Sequence, residues 1–134
     1  MLKQISVFVE NQAGSLMNVT SALKDNNISI RAIASFDTPE FAILRLIVDK
    51  PEEAKEALAK LGFIVRLNEV MAIELEDKVG NLNDLLTTLA TNEISINYIY
   101  SFVIRQNQAP VMVLNTDKPE EATKILEREG FQIV

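Results

Sequence analysis

Residues 5–36 are written a second time at 71–102, at an offset of 66, the separation of Gly14 from Gly80. Identical pairs along this stretch include Glu10/Glu76, Gly14/Gly80, Leu16/Leu82, Leu23/Leu89, Asn26/Asn92, Ile28/Ile94, Ser29/Ser95, Ile33/Ile99 and Phe36/Phe102. Farther on, Asp49-Lys50-Pro51-Glu52-Glu53-Ala54 returns letter for letter as Asp117-Lys118-Pro119-Glu120-Glu121-Ala122, now at an offset of 68. Gly62-Phe63 returns as Gly130-Phe131. Self-similarity at this period means two copies of one supersecondary unit. Each copy is small for independent stability, because a short chain buries little of its surface. The copies are therefore expected to pack together, and two similar copies create a seam, the kind of place where small-molecule pockets form.

The local patterns give the same element order in each copy. Ile5, Val7 and Val9 alternate with Ser6, Phe8 and Glu10, the period of a half-buried strand. Asn11-Gln12-Ala13-Gly14 is turn chemistry. Leu16, Val19 and Leu23 recur at helical spacing, predicting a helix over 15–25 that Asn26-Asn27 stops. Strands are expected at 28–36 and 41–48, then a helix with the stripe Ala54, Ala57, Leu58 and Leu61 that ends at Gly62, then a strand at 63–67. Asp49 reads as the helix cap, with Glu52 three residues on and Pro51 in the first turn. The second copy predicts strands at 70–76, 94–104, 110–115 and 131–134, and helices at 81–91 and 119–129. Its one length change is in the hairpin, where 37–41 becomes 103–109. The domains are then 1–67 and 70–134, joined by the short link Arg66-Leu67-Asn68-Glu69. Strand, helix, strand, strand, helix, strand is the ferredoxin-like split βαβ arrangement, so the fold class is α+β. Both helices fall on one sheet face. The other face and the edge strands need cover, so a homodimer is expected.

Several functions are disfavoured by what the chain lacks. Thirteen basic residues are scattered among nineteen acidic ones, for a net charge of −6, whereas nucleic-acid binders concentrate Lys and Arg. An RNA-recognition domain shares the strand order but needs stacked aromatics and basic charge, and Phe8 and Phe41 are poor substitutes. Histidine and cysteine are both absent. That removes the usual neutral-pH acid and base, the thiol nucleophile and the commonest soft metal ligands. No residue set recommends catalysis, and neither a cofactor nor a metal is expected. No apolar run approaches the length of a membrane span, and the N-terminal residues lack a signal-peptide apolar core. A cytoplasmic protein is the expectation.

The best candidate site is the turn after each first strand. It reads Asn11-Gln12-Ala13-Gly14-Ser15-Leu16 in one copy and Asp77-Lys78-Val79-Gly80-Asn81-Leu82 in the other. Glycine lets backbone approach closely. The helix start presents unpaired N–H groups and a partial positive charge, suited to a carboxylate. Asn11 or Asp77 is placed to accept hydrogen bonds from an ammonium. The same residues also serve a plain strand-to-helix turn, where Gly, Asn, Asp and Ser are common anyway. Ser29 and Ser95, each in Ile-Ser-Ile, are either solvent-facing strand positions or hydroxyls near a neighbouring glycine turn. Tyr98 and Tyr100 replace Ala32 and Ala34 of the first copy, as packing or as a ligand wall.

With its βαββαβ order, its Asn-x-x-Gly-x-Leu turn and Asn26-Asn27-Ile28-Ser29-Ile30 leading into the second strand, the chain resembles the ACT domain. Taken whole it is similar to a stand-alone tandem ACT protein, and residues 5–16 resemble the start of acetolactate synthase regulatory subunits. The resemblance implies a regulatory or sensing role and a free amino acid as ligand, held where two copies meet. It assigns ligand contacts to Asn11, Gln12, Ala13, Gly14, Ser15, Leu16 and Ser29, and to Asp77, Val79, Gly80, Asn81, Leu82 and Ser95. The chain departs from the family pattern in two ways. Ala13 or Val79 stands where Pro is frequent, and Ser29 or Ser95 where Asn is frequent. The rival reading is a ligand-independent regulatory subunit of an amino-acid biosynthetic enzyme such as acetolactate synthase.

Overall fold

The computed structural model of the chain describes residues 1–103 and 106–134. Two compact units result, Lys3–Glu69 and Val70–Val134, the latter joined by Met1–Leu2. Each has the order βαββαβ, the ferredoxin-like α+β arrangement that the repeat implies.

In the first unit the elements are β1 (Leu2–Glu10), α1 (Ser15–Asp25), β2 (Ile30–Asp37), β3 (Phe41–Val48), α2 (Pro51–Lys60) and β4 (Ile64–Glu74). The sheet order is β2-β3-β1-β4, with β3 antiparallel to both neighbours. Alternation along β1 sends Ile5, Val7 and Val9 to the helix side. There they meet Val19, Ala22 and Leu23 of α1, Ala54 and Leu58 of α2, and Leu44 and Leu46 of β3. Leu23 is wholly buried, and a side chain of that size contributes roughly 1.5–3 kcal/mol by leaving water.

β4 continues into the second unit as its first strand. There follow α3 (Asn81–Thr91), β5 (Ile96–Ser101), β6 (Val111–Thr116), α4 (Pro119–Arg128) and β7 (Gln132–Ile133). β6 lies antiparallel between β5 and β4, and β7 pairs with β4 on its other side. Leu85 and Leu89 of α3 and Ala122, Ile125 and Leu126 of α4 close a core over Met71, Ile73 and Leu114.

Many of the repeated letters turn out to be structural. Asn26 and Asn92 each donate from Nδ2 to a carbonyl one turn back, Ala22 O and Thr88 O, at 2.8 Å. These contacts add a side-chain donor to carbonyls in the last turn of each helix. Asp49 is not the side-chain cap the sequence suggests. Its Oδ1 accepts the Ser29 amide at 2.9 Å, and Asp117 accepts that of Ser95 at 3.0 Å. The return bonds, Asp49 N–H to Ser29 O and Asp117 N–H to Ser95 O, are both 3.1 Å. Each aspartate therefore ties a helix approach to the segment before the second strand. Lys50 and Lys118 take the cap positions, without a side-chain cap bond.

Other boundaries moved as well. The expected break at 66–69 is instead part of β4, where Asn68 Oδ1 accepts from the buried Gln4 side chain at 3.2 Å. β2 and β5 begin two residues later than expected, because Ser29 and Ser95 are held by the aspartates. The expected strand end at Ile104, and part of the longer hairpin 103–109, lie outside the described residues. Leu16, expected to open an apolar stripe, and its counterpart Leu82 are 41% and 43% exposed, and Leu61, expected to close the stripe of the second helix, is 63% exposed. They sit at helix ends, beyond the cover of the sheet. Among the described residues no helix is long and apolar enough to cross a membrane.

Candidate functional site

The two turns that follow the first strands have the same backbone. In the first unit the Gln12 amide donates to Glu10 O (2.9 Å), the Ser15 amide to Gln12 O (3.2 Å) and the Asn18 amide to Gly14 O (2.9 Å). In the second, Lys78 donates to Glu76 O, Asn81 to Lys78 O and Asp84 to Gly80 O, again at 2.9, 3.2 and 2.9 Å. Gly14 and Gly80 hold φ of 86° and 91° immediately before their helices. A Cβ makes that region unfavourable, which is why glycine stands at both. No side chain caps either helix. Among the described residues the amides of Leu16 and Met17, and of Leu82 and Asn83, receive no acceptor. Such a start can accept a carboxylate.

Beside the first turn lies a cavity of about 470 Å³, within the size range of small-ligand pockets. Its walls come from Phe8, Val9 and Glu10 of β1, Gln12 of the turn, Ser15 and Asn18 of α1, Phe41 of β3, and Leu61, Gly62, Phe63 and Ile64 between α2 and β4. Ser15 and Asn18 are three apart and so share a helix face. Glu10 and Phe41 are cross-strand partners. Phe8 and Phe41 meet with ring centroids 6.3 Å apart, tilted by 48°, a favourable aromatic geometry. The Arg66 guanidinium lies 5.8 Å from the Phe8 ring centroid. Glu10 Oε2 accepts from Gln12 Nε2 at 2.8 Å, a neutral partner that leaves its negative charge uncompensated. Among the described residues no cation pairs with it.

The second turn carries different side chains on that backbone. Lys78 Nζ lies 2.5 Å from Glu76 Oε2. This hydrogen bond and charge pair hold the Glu76 carboxyl below its ordinary range and the Lys78 ammonium above its own. Asn81 Nδ2 folds back onto Glu76 O at 2.8 Å. Asp84 sits in the first turn of α3, whereas α1 has no acid there. Counted along the repeat, Phe8, Phe41, Leu61 and Ile64 correspond to Glu74, Ala109, Glu129 and Gln132. Asp77 lines a cavity of about 360 Å³ on another side, against Ser101, Phe102 and Pro110 at the base of the hairpin.

Of the residues singled out from sequence, Gln12 and Ser15 line the first cavity and Asp77 the hairpin cavity. Asn11 faces the β2–β3 hairpin, with its amide 3.4 Å from Glu40 O and Nδ2 3.4 Å from Thr38 O. Ala13, Gly14, Leu16, Val79, Gly80 and Leu82 are exposed around the turns. Ser29 lies beyond the other end of α1, about 16 Å along an eleven-residue helix. Its Oγ accepts from Arg31 Nη1 at 2.8 Å. Within each unit, then, the serines and the glycine turn do not meet. Tyr98 and Tyr100 stack at 6.3 Å and 21°.

Sequence reasoning passed over Glu10, Asn18, Phe8, Phe41, Leu61 and Ile64 as site residues. A usable signal was present for four of them: Phe8, Phe41, Leu61 and Ile64 are apolar where the other copy is polar or small. Among the described residues no group of three acidic side chains is placed to hold a metal ion.

No curated protein matches the chain in sequence. Among solved structures, protein BT0572 from Bacteroides thetaiotaomicron is similar, with a TM-score of 0.91 and 29% identity over 99% of this chain and 91% of that one. The regulatory subunit of aspartate kinase from Thermus thermophilus, in its ligand-free form, superposes with a TM-score of 0.62 and 19% identity over 94% of this chain and 91% of that one. At that identity the likeness is one of fold. The family model described as an ACT domain pair matches residues 1–134. Repeat, duplicated βαββαβ units and whole-length match agree, and the chain belongs to the ACT domain pair family, a regulatory fold.

Proposed function

We propose that this protein is a regulatory sensor, without catalysis of its own, that binds a free amino acid at a glycine turn and acts in the cytoplasm. The observation that carries the reading is the Gly14 turn. An uncapped helix start, suited to a carboxylate, and the Glu10 carboxylate, suited to an ammonium, lie beside one cavity of about 470 Å³. Those are the two charges of a free amino acid. Apolar side chains stand exposed at the turns, Met17 at 62% and Val79 fully. At the first turn Leu16, 41% exposed, adjoins Met17, apolar surface of the kind that meets another protein, in keeping with a homodimer or a partner enzyme.

The mechanism is a population shift. Ligand stabilises whichever arrangement of the protein binds it more tightly, and only a difference in affinity between arrangements transmits a signal. The test is thermal melting against each of the twenty amino acids. Ligand at about 100-fold over Kd adds roughly 2.7 kcal/mol, a shift of several degrees for a protein of this size. A flat response across the whole set, together with co-purification of an amino-acid biosynthetic enzyme, would replace this reading with that of a ligand-independent subunit.

A further inference from the structure

The asymmetry between the turns carries a more specific statement, which rests on the amino-acid reading above. We infer that the chain has one amino-acid site, not two, and that it selects an amino acid with an apolar side chain. The site is the cavity beside Gly14, with the ligand side chain received by Phe8, Phe41, Leu61 and Ile64 and its ammonium by Glu10.

Three observations separate this cavity from its counterpart. The first is charge at the anion end. An acid in the first helical turn opposes a bound carboxylate, since both compete for the same positive end of the helix. α3 has Asp84 there, and α1 has no acid. The second is charge at the cation end. Glu76 is already neutralised by Lys78, while Glu10 has only the Gln12 amide and keeps its full attraction for an ammonium. The third is the wall. Four of the six apolar residues of the first cavity become Glu74, Ala109, Glu129 and Gln132 in the second copy, while Val9 and Phe63 stay apolar as Leu75 and Phe131. A side chain that gains by leaving water gains more against the first set. Leu61 and Ile64 are 63% and 64% exposed. They hold no part of the core, so their apolar character is not required for folding.

That exposure makes the test direct. The double variant Leu61→Glu/Ile64→Gln writes the second copy's residues into the first cavity without touching the core. Ile64→Gln alone is the milder companion, and a melting curve confirms that each folds. Titration calorimetry of the full chain with leucine, phenylalanine, aspartate and lysine then reads the selectivity.

The expected result is one site per chain for leucine or phenylalanine. The double variant should weaken it by at least about tenfold, the scale of losing a methylene or more of apolar contact. Asp84→Asn should leave it unchanged. Aspartate or lysine as the tight ligand, bound equally by the wild type and the double variant, would overturn this inference while leaving the amino-acid reading intact. Two equivalent sites per chain would also overturn it. Silence with all the amino acids would overturn both.

Discussion

At the Gly14 turn Glu10 accepts a neutral amide from Gln12, and at the Gly80 turn Glu76 accepts an ammonium from Lys78. The three backbone hydrogen bonds that shape each turn are equal in length, and the glycine φ values differ by only a few degrees. Duplication has therefore kept the residues that fix the chain path, Gly14/Gly80, Leu23/Leu89 and Asn26/Asn92, and released the side chains that point away from it. The lesson is that a repeat preserves geometry and lets chemistry diverge. Geometry here is set by sterics and burial, which tolerate little change. The charges and walls at an exposed turn alter stability only slightly, so they are free to specialise.

Matched substitutions in the two units test whether packing has stayed alike while the turns diverged. The largest effect is expected in the cores. Leu23 and Leu89 are both wholly buried, so Leu23→Ala and Leu89→Ala should each destabilise their unit by about 2–5 kcal/mol, read by urea unfolding. A large cost at one and almost none at the other would show that the copies differ in packing as well as in turn chemistry.

Next come the glycines. A Cβ at Gly14 would meet only the end of the Met17 side chain at 3.9 Å, and one at Gly80 would meet nothing within 4 Å. Gly14→Ala and Gly80→Ala should therefore cost nearly the same, about 1–2 kcal/mol of left-handed strain each, visible as lowered melting temperatures. Only the Gly14 variant should also lose amino-acid response. Equal loss of response in both would return the two turns to equal standing.

The smallest effect is expected at Lys78, whose pair with Glu76 is exposed and screened. The Glu76 carboxyl is held low in the folded chain, so its contribution is present above the unfolded pKa and fades as pH falls through the folded one. Lys78 is held high, so its contribution is present below its unfolded pKa and fades as pH rises through the folded one. Neutral pH lies between the two windows. In Lys78→Gln the Glu76 titration, followed by NMR, should move up toward the ordinary glutamate range. An unmoved titration would mean that the pair does not persist in solution.

Much of the fold was legible because periodicity reports burial. Val19 and Leu23, and Ala54 and Leu58, fall where their spacing places them. What misled was residues with more than one local role. Asp49 has a capping residue's chemistry, yet it stands one residue before the cap and binds the Ser29 amide twenty residues away, a partner visible only once the segments before β2 and α2 come together. Arg66-Leu67-Asn68-Glu69 carries the polarity of a linker, yet it continues a strand, because Gln4 offers Asn68 a buried partner. The candidate site was half legible. Its glycine, Gln12 and Ser15 were marked by the turn motif. Glu10, Asn18, Phe41 and Ile64 join them from four separate elements.

Neighbouring residues are enough to specify the duplication, the βαββαβ order and the position of both glycine turns. Those depend on local spacing and on the steric freedom of single residues, which neighbours along the chain decide. Packing is what puts Phe8, Glu10, Phe41, Leu61 and Ile64 around one cavity, and Ser29 with Asp49 rather than with Gly14. Such groupings join residues far apart in the chain, and only the folding of the sheet against its helices brings them together.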